Sequence, residues 1–118
     1  MGVKNPSPLV RYWVGGFVME EDIMALGNMS YVEKRKLAKN PSTPLDILRV
    51  LAKDDFWEVR ESVAKNPKVS SKLLVMLFGY EKSLKYPDDF VIKALYYNKK
   101  LPAFAKRVIE TLFGEMLP

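Results

Sequence analysis

The 118-residue chain contains no cysteine and no histidine. Without cysteine it can form no disulfide bond, no thiolate metal site and no cysteine nucleophile. Without histidine it also lacks a common ligand of zinc, haem and copper, and it cannot assemble a Ser-His-Asp relay. We therefore expect no metal, no cofactor and no catalytic residue, and we predict that the chain is not an enzyme.

Long apolar runs are also lacking. No stretch approaches the roughly 18 apolar residues that a membrane-spanning helix needs, and the first seven residues have no secretory apolar region. Hydrophobic residues nevertheless make up 48% of the chain, which is enough for a core, and 19 basic against 14 acidic residues give a mild net charge of +5. We predict a single cytoplasmic domain, 1–118, that does not associate with membranes.

An internal repeat is present. The tetrapeptide Ala-Lys-Asn-Pro at 38–41 recurs at 64–67, and apolar positions after each copy also align. A weaker third copy aligns Asn98 with Asn66 after an insertion at 80–87. The predicted helical repeats are 30–53, 54–79 and 88–114.

Polar residues mark where the helices of each repeat begin. Two pairs have the spacing of capping boxes, Ser30 with Glu33 and Asp55 with Glu58. Each first helix is predicted to end at its Asn-Pro turn, because the residue before proline is pushed out of the helical region. Caps of the second helices are predicted at Thr43 and Ser70. Each unit is therefore a helix, a turn and a second helix, and the fold is all-α.

Residues 1–29 are the least regular part of the chain and are predicted to form an N-terminal helical cap on the first repeat. A further degenerate repeat is the alternative. Trp13 and Phe17 are four positions apart and would project together from a helix, so they mark either the cap or an oligomer interface. Monomer and homodimer both stay open.

The two clear copies, 35–48 and 59–67, resemble the leucine-rich repeat variant family, and the resemblance is good over about 31–78. It implies a short right-handed α-solenoid of about three helix-turn-helix repeats, in which one helix of each pair is often 3₁₀-like. Some members of the family carry an iron–sulfur cluster on N-terminal cysteines. That property cannot apply to a chain without cysteine.

Equivalent positions of a solenoid lie along one edge, so the turns should bring a row of lysines together. The candidate binding edge comprises Lys39, Lys65, Lys68, Lys99 and Lys100. Such a row could follow the phosphates of a nucleic acid or meet an acidic protein, although lysines at helix ends are also common as solvated residues. Arginine, the residue that contacts guanine in a bidentate manner, is sparse, which disfavours sequence-specific DNA recognition.

The other polar clusters have simpler explanations. The pairs Asp54-Asp55 and Asp88-Asp89 resemble magnesium ligands, but N-capping accounts for both. Trp57 and Arg60 beside these carboxylates suggest a third hypothesis, the flipped-base site of helical DNA glycosylases. We predict instead a non-catalytic binding or scaffold module for protein–protein interaction; the alternative is a sequence-nonspecific nucleic-acid-binding module that uses the basic edge.

Overall fold

The structure, a computed structural model, describes residues 20–117. Within that range the chain forms seven α-helices and no β-strand, which confirms the all-α prediction. The helices are α1 (Glu20–Ala25), α2 (Tyr31–Lys39), α3 (Leu45–Leu51), α4 (Trp57–Lys65), α5 (Ser71–Ser83), α6 (Asp89–Tyr96) and α7 (Ala103–Phe113). Two short 3₁₀ segments, Leu26–Asn28 and Gly114–Met116, follow α1 and α7. The second helices α3, α5 and α7 are all α-helical, unlike the 3₁₀-like helices that the family resemblance implies.

The helices are arranged in two rows. Helix α2 packs against α4, and α4 packs against α6, so the first helices of the three predicted repeats are side by side. Each second helix packs on the first helix of its own repeat, and α3 and α5 also contact the first helix of the next one. The part of the chain that the structure describes measures 51 × 25 × 22 Å. Every first helix thus presents one side to the second row and the other to solvent.

A single apolar core lies between the two rows. The second helices contribute apolar stripes, including Ile47, Leu48 and Leu51 of α3, which are fully buried. The first helices contribute larger apolar residues, such as Leu37 of α2 and Leu95 of α6, together with alanine; Ala38 and Ala64 are completely buried near the ends of α2 and α4. Burying a leucine or isoleucine side chain stabilises the fold by about 1.5–3 kcal/mol, so these stripes hold the rows together.

Capping follows the predictions at some helix starts. Ser30 and Glu33 form the expected box, with Ser30 Oγ accepting from the Glu33 amide at 3.2 Å and Glu33 Oε1 from the Ser30 amide at 3.0 Å. Ser70 caps α5, and Asp88 caps α6. These bonds satisfy amides that have no partner within the helix.

Two capping predictions are wrong. Helix α4 begins after Phe56, and Asp55 forms no capping box with Glu58; instead Asp54 Oδ2 accepts from the Phe56 amide at 3.0 Å. Thr43 does not cap α3, because its hydroxyl donates to the Leu37 carbonyl at 2.6 Å and is buried. Thr43 is thus used by a contact with a residue six positions back, and Asp54 rather than Asp55 binds an amide just before α4.

The turns after the first helices share one hydrogen-bonding pattern. Asn40, Asn66 and Asn98 each accept, through Oδ1, the amide of the residue two positions on, at 2.8 Å. Asn66 also donates to the carbonyls of Ala38 at 2.7 Å and Asn40 at 3.0 Å. Asn98 donates in the same way to the Ala64 carbonyl, at 2.8 Å. Asn98 therefore has in its repeat the place that Asn66 has in the previous one, and the two amides connect three successive turns.

The segment predicted as an insertion, 80–87, is divided in the structure. Its first four residues lengthen α5, which reaches Ser83, and the remainder connects α5 to the Asp88 cap of α6. Trp13 and Phe17 lie outside the described residues. No helix among residues 20–117 is long and apolar enough to cross a membrane.

Candidate interaction surface

The predicted basic edge lies at the C-terminal ends of the first helices. Lys39 and Lys65 are the last residues of α2 and α4, and Lys68, Lys99 and Lys100 belong to the turns that follow α4 and α6. All five are exposed. The structure therefore places these lysines at corresponding ends of neighbouring helices.

Two of the five lysines are engaged within the fold. The Lys100 ammonium donates to the backbone carbonyls of Pro67 at 2.9 Å and Val69 at 3.0 Å, so it links its own turn to the preceding one. Lys65 forms an ion pair with Glu61 one helical turn earlier, at 3.1 Å. Within residues 20–117, Lys39, Lys68 and Lys99 have no carboxylate partner. A ligand that contacts Lys65 or Lys100 would therefore have to replace a bond within the fold, whereas Lys39, Lys68 and Lys99 need give up no ion pair in this part of the chain.

Aromatic side chains occupy the opposite ends of the same helices. The Tyr31 and Phe56 rings lie 5.1 Å apart, and Trp57 stacks on Phe90 at 5.0 Å. Each pair joins residues at the start of successive first helices, which agrees with aromatic packing between repeats. The rings also face water: Tyr31 is 39% exposed, Phe56 46% and Phe90 55%.

A groove of about 440 Å³ opens between α4 and α6. Small side chains at Ala64 and Ala94 leave room between the helices, and Phe90 and Tyr97 line it from the two ends of α6. The charged and polar lining residues are Glu61, Lys65, Lys93 and Asn98. One repeat earlier, Glu58 and Lys65 of α4 occupy the positions that correspond to Phe90 and Tyr97, so these two aromatic positions are not repeated in α4.

A buried ion pair joins α4 to α5. The Arg60 guanidinium donates to both carboxylate oxygens of Glu81, at 2.6 and 3.0 Å, and also to the carbonyls of Asp54 and Asp55. Burial lowers the pKa of Arg60, but the hydrogen bond and negative charge of Glu81 outweigh it and raise the pKa above the ordinary value. Because Arg60 is buried and bound in this way, it is not presented to a nucleic-acid base, which weighs against the flipped-base hypothesis.

Sequence reasoning missed Glu81, although a signal for it exists. Leu73, Leu77 and Glu81 follow one another at four-residue intervals, so Glu81 continues the buried stripe of α5. A carboxylate on such a stripe requires a buried cation nearby. Lys34 forms a related pair with Asp54 one repeat earlier, at 2.6 Å.

Asp88 links this ion pair to the start of α6. Its amide donates to Glu81 Oε2 at 2.8 Å, and its own carboxylate accepts from the amides of Phe90 and Val91. Burial raises the pKa of Asp88, and the charge of Glu81 adds to that effect against the opposing backbone bonds. Among residues 20–117 no cluster of three or more acidic side chains could hold a metal ion.

Comparison with protein-family models, with curated proteins and with solved structures finds no match for this chain.

Proposed function

We propose that the chain is a non-catalytic binding module that recognises another protein through the solvent-facing side of α2, α4 and α6. We further propose that its two rows of helices form a short right-handed α-solenoid of about three repeats, of the leucine-rich repeat variant type. The side-by-side packing of the first helices and the asparagine bonds between their turns support this arrangement.

The exposed aromatic rings carry the functional proposal. Tyr31, Phe56 and Phe90 lie along one edge of the first helices and keep 39%, 46% and 55% of their surface exposed. Aromatic residues are enriched at the centres of protein interfaces, where they bury a large area at low entropic cost. A row of such rings on a rigid helical surface is typical of a protein-binding site.

Affinity capture with matched variants tests this proposal. The immobilised chain is incubated with nuclease-treated extract of its own organism, and captured proteins are quantified by mass spectrometry. A Tyr31→Ser/Phe56→Ser double variant removes two exposed rings of the edge, and Phe104→Ser removes a ring that is 59% exposed on α7, in the other row. We expect the specific partner to be lost from the double variant and retained by Phe104→Ser.

Two results would overturn the proposal. One is a capture profile that the double variant leaves unchanged. The other is a turnover of a small-molecule substrate that a single point mutation abolishes, since a binding module has no such activity.

The basic edge favours a second candidate, a sequence-nonspecific nucleic-acid-binding module. Lys39, Lys68 and Lys99 are exposed cations without carboxylate partners in the described part of the chain. Phosphate-driven binding weakens steeply with salt, which distinguishes it from binding through aromatic contacts. Because the fold uses two of the five predicted lysines, we rank this candidate second.

A further inference from the structure

The groove between α4 and α6 combines an apolar centre with a basic surround. Its centre is formed by Ala64, Ala94 and the rings of Phe90 and Tyr97. Its volume, about 440 Å³, lies within the range of about 300–1,000 Å³ that is usual for ligand pockets. It is large enough to receive one large apolar side chain with the backbone on either side of it.

The charges around the groove are not balanced. Lys65 is paired with Glu61, so the carboxylate of the lining is already neutralised. Lys93, also in the lining, has no carboxylate partner within residues 20–117. At the end formed by Tyr97 and Asn98 the groove reaches the turn that carries the exposed, unpartnered Lys99.

We propose that this groove binds an acidic peptide segment of a partner protein, with a large apolar side chain between Phe90 and Tyr97 and carboxylates on Lys93 and Lys99. The inference rests on the proposed protein-binding function and names the chemistry of the partner. Burial of the apolar side chain supplies the affinity, because a large aromatic side chain can cover about 150–250 Å². The two lysines select the flanking residues, since complementary charges mainly determine which partner is accepted.

Fluorescence anisotropy with labelled dodecapeptide pools tests the proposal on the full chain. Three pools share a central Leu or Phe and differ in their flanks, which are Asp/Glu, Lys/Arg or Ser/Gly. A fourth pool keeps the acidic flanks and has Ser in place of the apolar residue. We expect the acidic pool with the apolar residue to bind about tenfold more tightly than each of the others.

Two variants and a control locate the site. Ala94→Gln narrows the groove without adding charge and should weaken binding about tenfold, while Lys93→Glu should make the basic pool the preferred one. Lys72→Glu makes the same change of charge at an exposed position of α5 and should leave all affinities unchanged. Circular dichroism of each variant confirms that it is folded.

The proposal fails if no pool binds the wild type, if the fourth pool binds as tightly as the first, or if Ala94→Gln has no effect. It also fails if sedimentation under the titration conditions shows a dimer that Ala94→Gln abolishes. The occupant of the groove would then be a second copy of this chain. If the captured partner depends on Tyr31 and Phe56 while the peptides do not bind, the protein-binding function stands and only the groove assignment falls.

Discussion

Arg60 and Glu81, 21 positions apart in the chain, form a two-point ion pair at 2.6 and 3.0 Å with at most 6% of either side chain exposed. Through it, α4 and α5 are joined to the loop at Asp54 and to the Asp88 cap of α6. One repeat later, Ile92 and Phe113 stand at the corresponding positions. The same place in the fold is thus filled once by an ion pair and once by apolar side chains.

Removing one partner of this pair should be strongly destabilising. Arg60→Met or Glu81→Gln leaves a buried polar group without its partner, so we expect each to lower the free energy of unfolding by about 3–5 kcal/mol. The Arg60→Ile/Glu81→Phe double variant copies the next repeat and should recover most of that loss. Urea unfolding followed by circular dichroism measures all three. Single variants that cost under about 1 kcal/mol would show that the pair does not hold the repeats together.

Asp88 should make the stability depend on pH with a defined sign. Since burial raises the pKa of Asp88 above 3.8, the folded chain binds this proton more tightly than the unfolded chain. Its contribution is therefore favourable below the unfolded pKa and is lost as pH rises through the folded one. Asp88→Asn keeps a side-chain oxygen for the cap but does not ionise.

We accordingly expect Asp88→Asn to gain stability relative to wild type as pH rises from the ordinary aspartate pKa of 3.8 through the raised pKa of Asp88. Chemical unfolding of both proteins at several pH values measures this difference, in which the titrating groups remote from Asp88 cancel. Asp89→Asn, a change of an exposed neighbour, is the control. A difference between Asp88→Asn and wild type that shrinks as pH rises would contradict the assigned shift.

The asparagines of the turns offer a comparison between like residues. Asn66 is only 2% exposed, and its side chain donates to the carbonyls of Ala38 and Asn40 at the end of the previous first helix. Asn40 is exposed, and within residues 20–117 its side chain makes only the local bond to the Ser42 amide. Asn66→Ala should cost about 2–4 kcal/mol, since it removes these bonds and leaves the buried Ala38 carbonyl without its donor, while the Asn40 carbonyl still accepts from the Thr43 amide. Asn40→Ala should cost about 1 kcal/mol or less. Equal costs in thermal or urea unfolding would mean that the bonds between turns contribute nothing.

How well the sequence predicts a contact depends on how far apart the two residues are along the chain. The Ser30–Glu33 box and the Ser70 cap involve residues three positions apart, and both form. Glu81 and Lys100 bind partners 21 and 31–33 positions away, which no local spacing shows. Long-range partners depend on which helices become neighbours.

The groove illustrates the same limit. Phe90 and Tyr97 are visible in the sequence, but they line a groove only because α6 packs beside α4 and Ala64 and Ala94 leave space between them. The insertion at 80–87 changes the repeat length from 26 to 32 positions and obscures the correspondence of α6 with α4. The aromatic junction therefore emerges only from the packing.

The nucleic-acid candidate leads to a quantitative prediction about salt. Each neutralised phosphate on duplex DNA contributes about 0.9 to the slope of log K against log salt. Because Lys65 and Lys100 would have to give up bonds within the fold, we expect three cations to contact phosphate, Lys39, Lys68 and Lys99. Any binding through this edge should therefore have a slope no steeper than about −3.

Anisotropy titrations of short DNA and RNA at about 50 and 200 mM salt measure this slope. Lys39→Glu/Lys68→Glu/Lys99→Glu should remove any such binding without loss of helix content. Lys100→Met should instead lower stability and leave the slope unchanged, because its ammonium bonds the Pro67 and Val69 carbonyls. A slope near −4.5 would mean that all five lysines contact phosphate, and the nucleic-acid candidate would then rank first. No binding at the lower salt would remove that candidate, since phosphate contacts are strongest there.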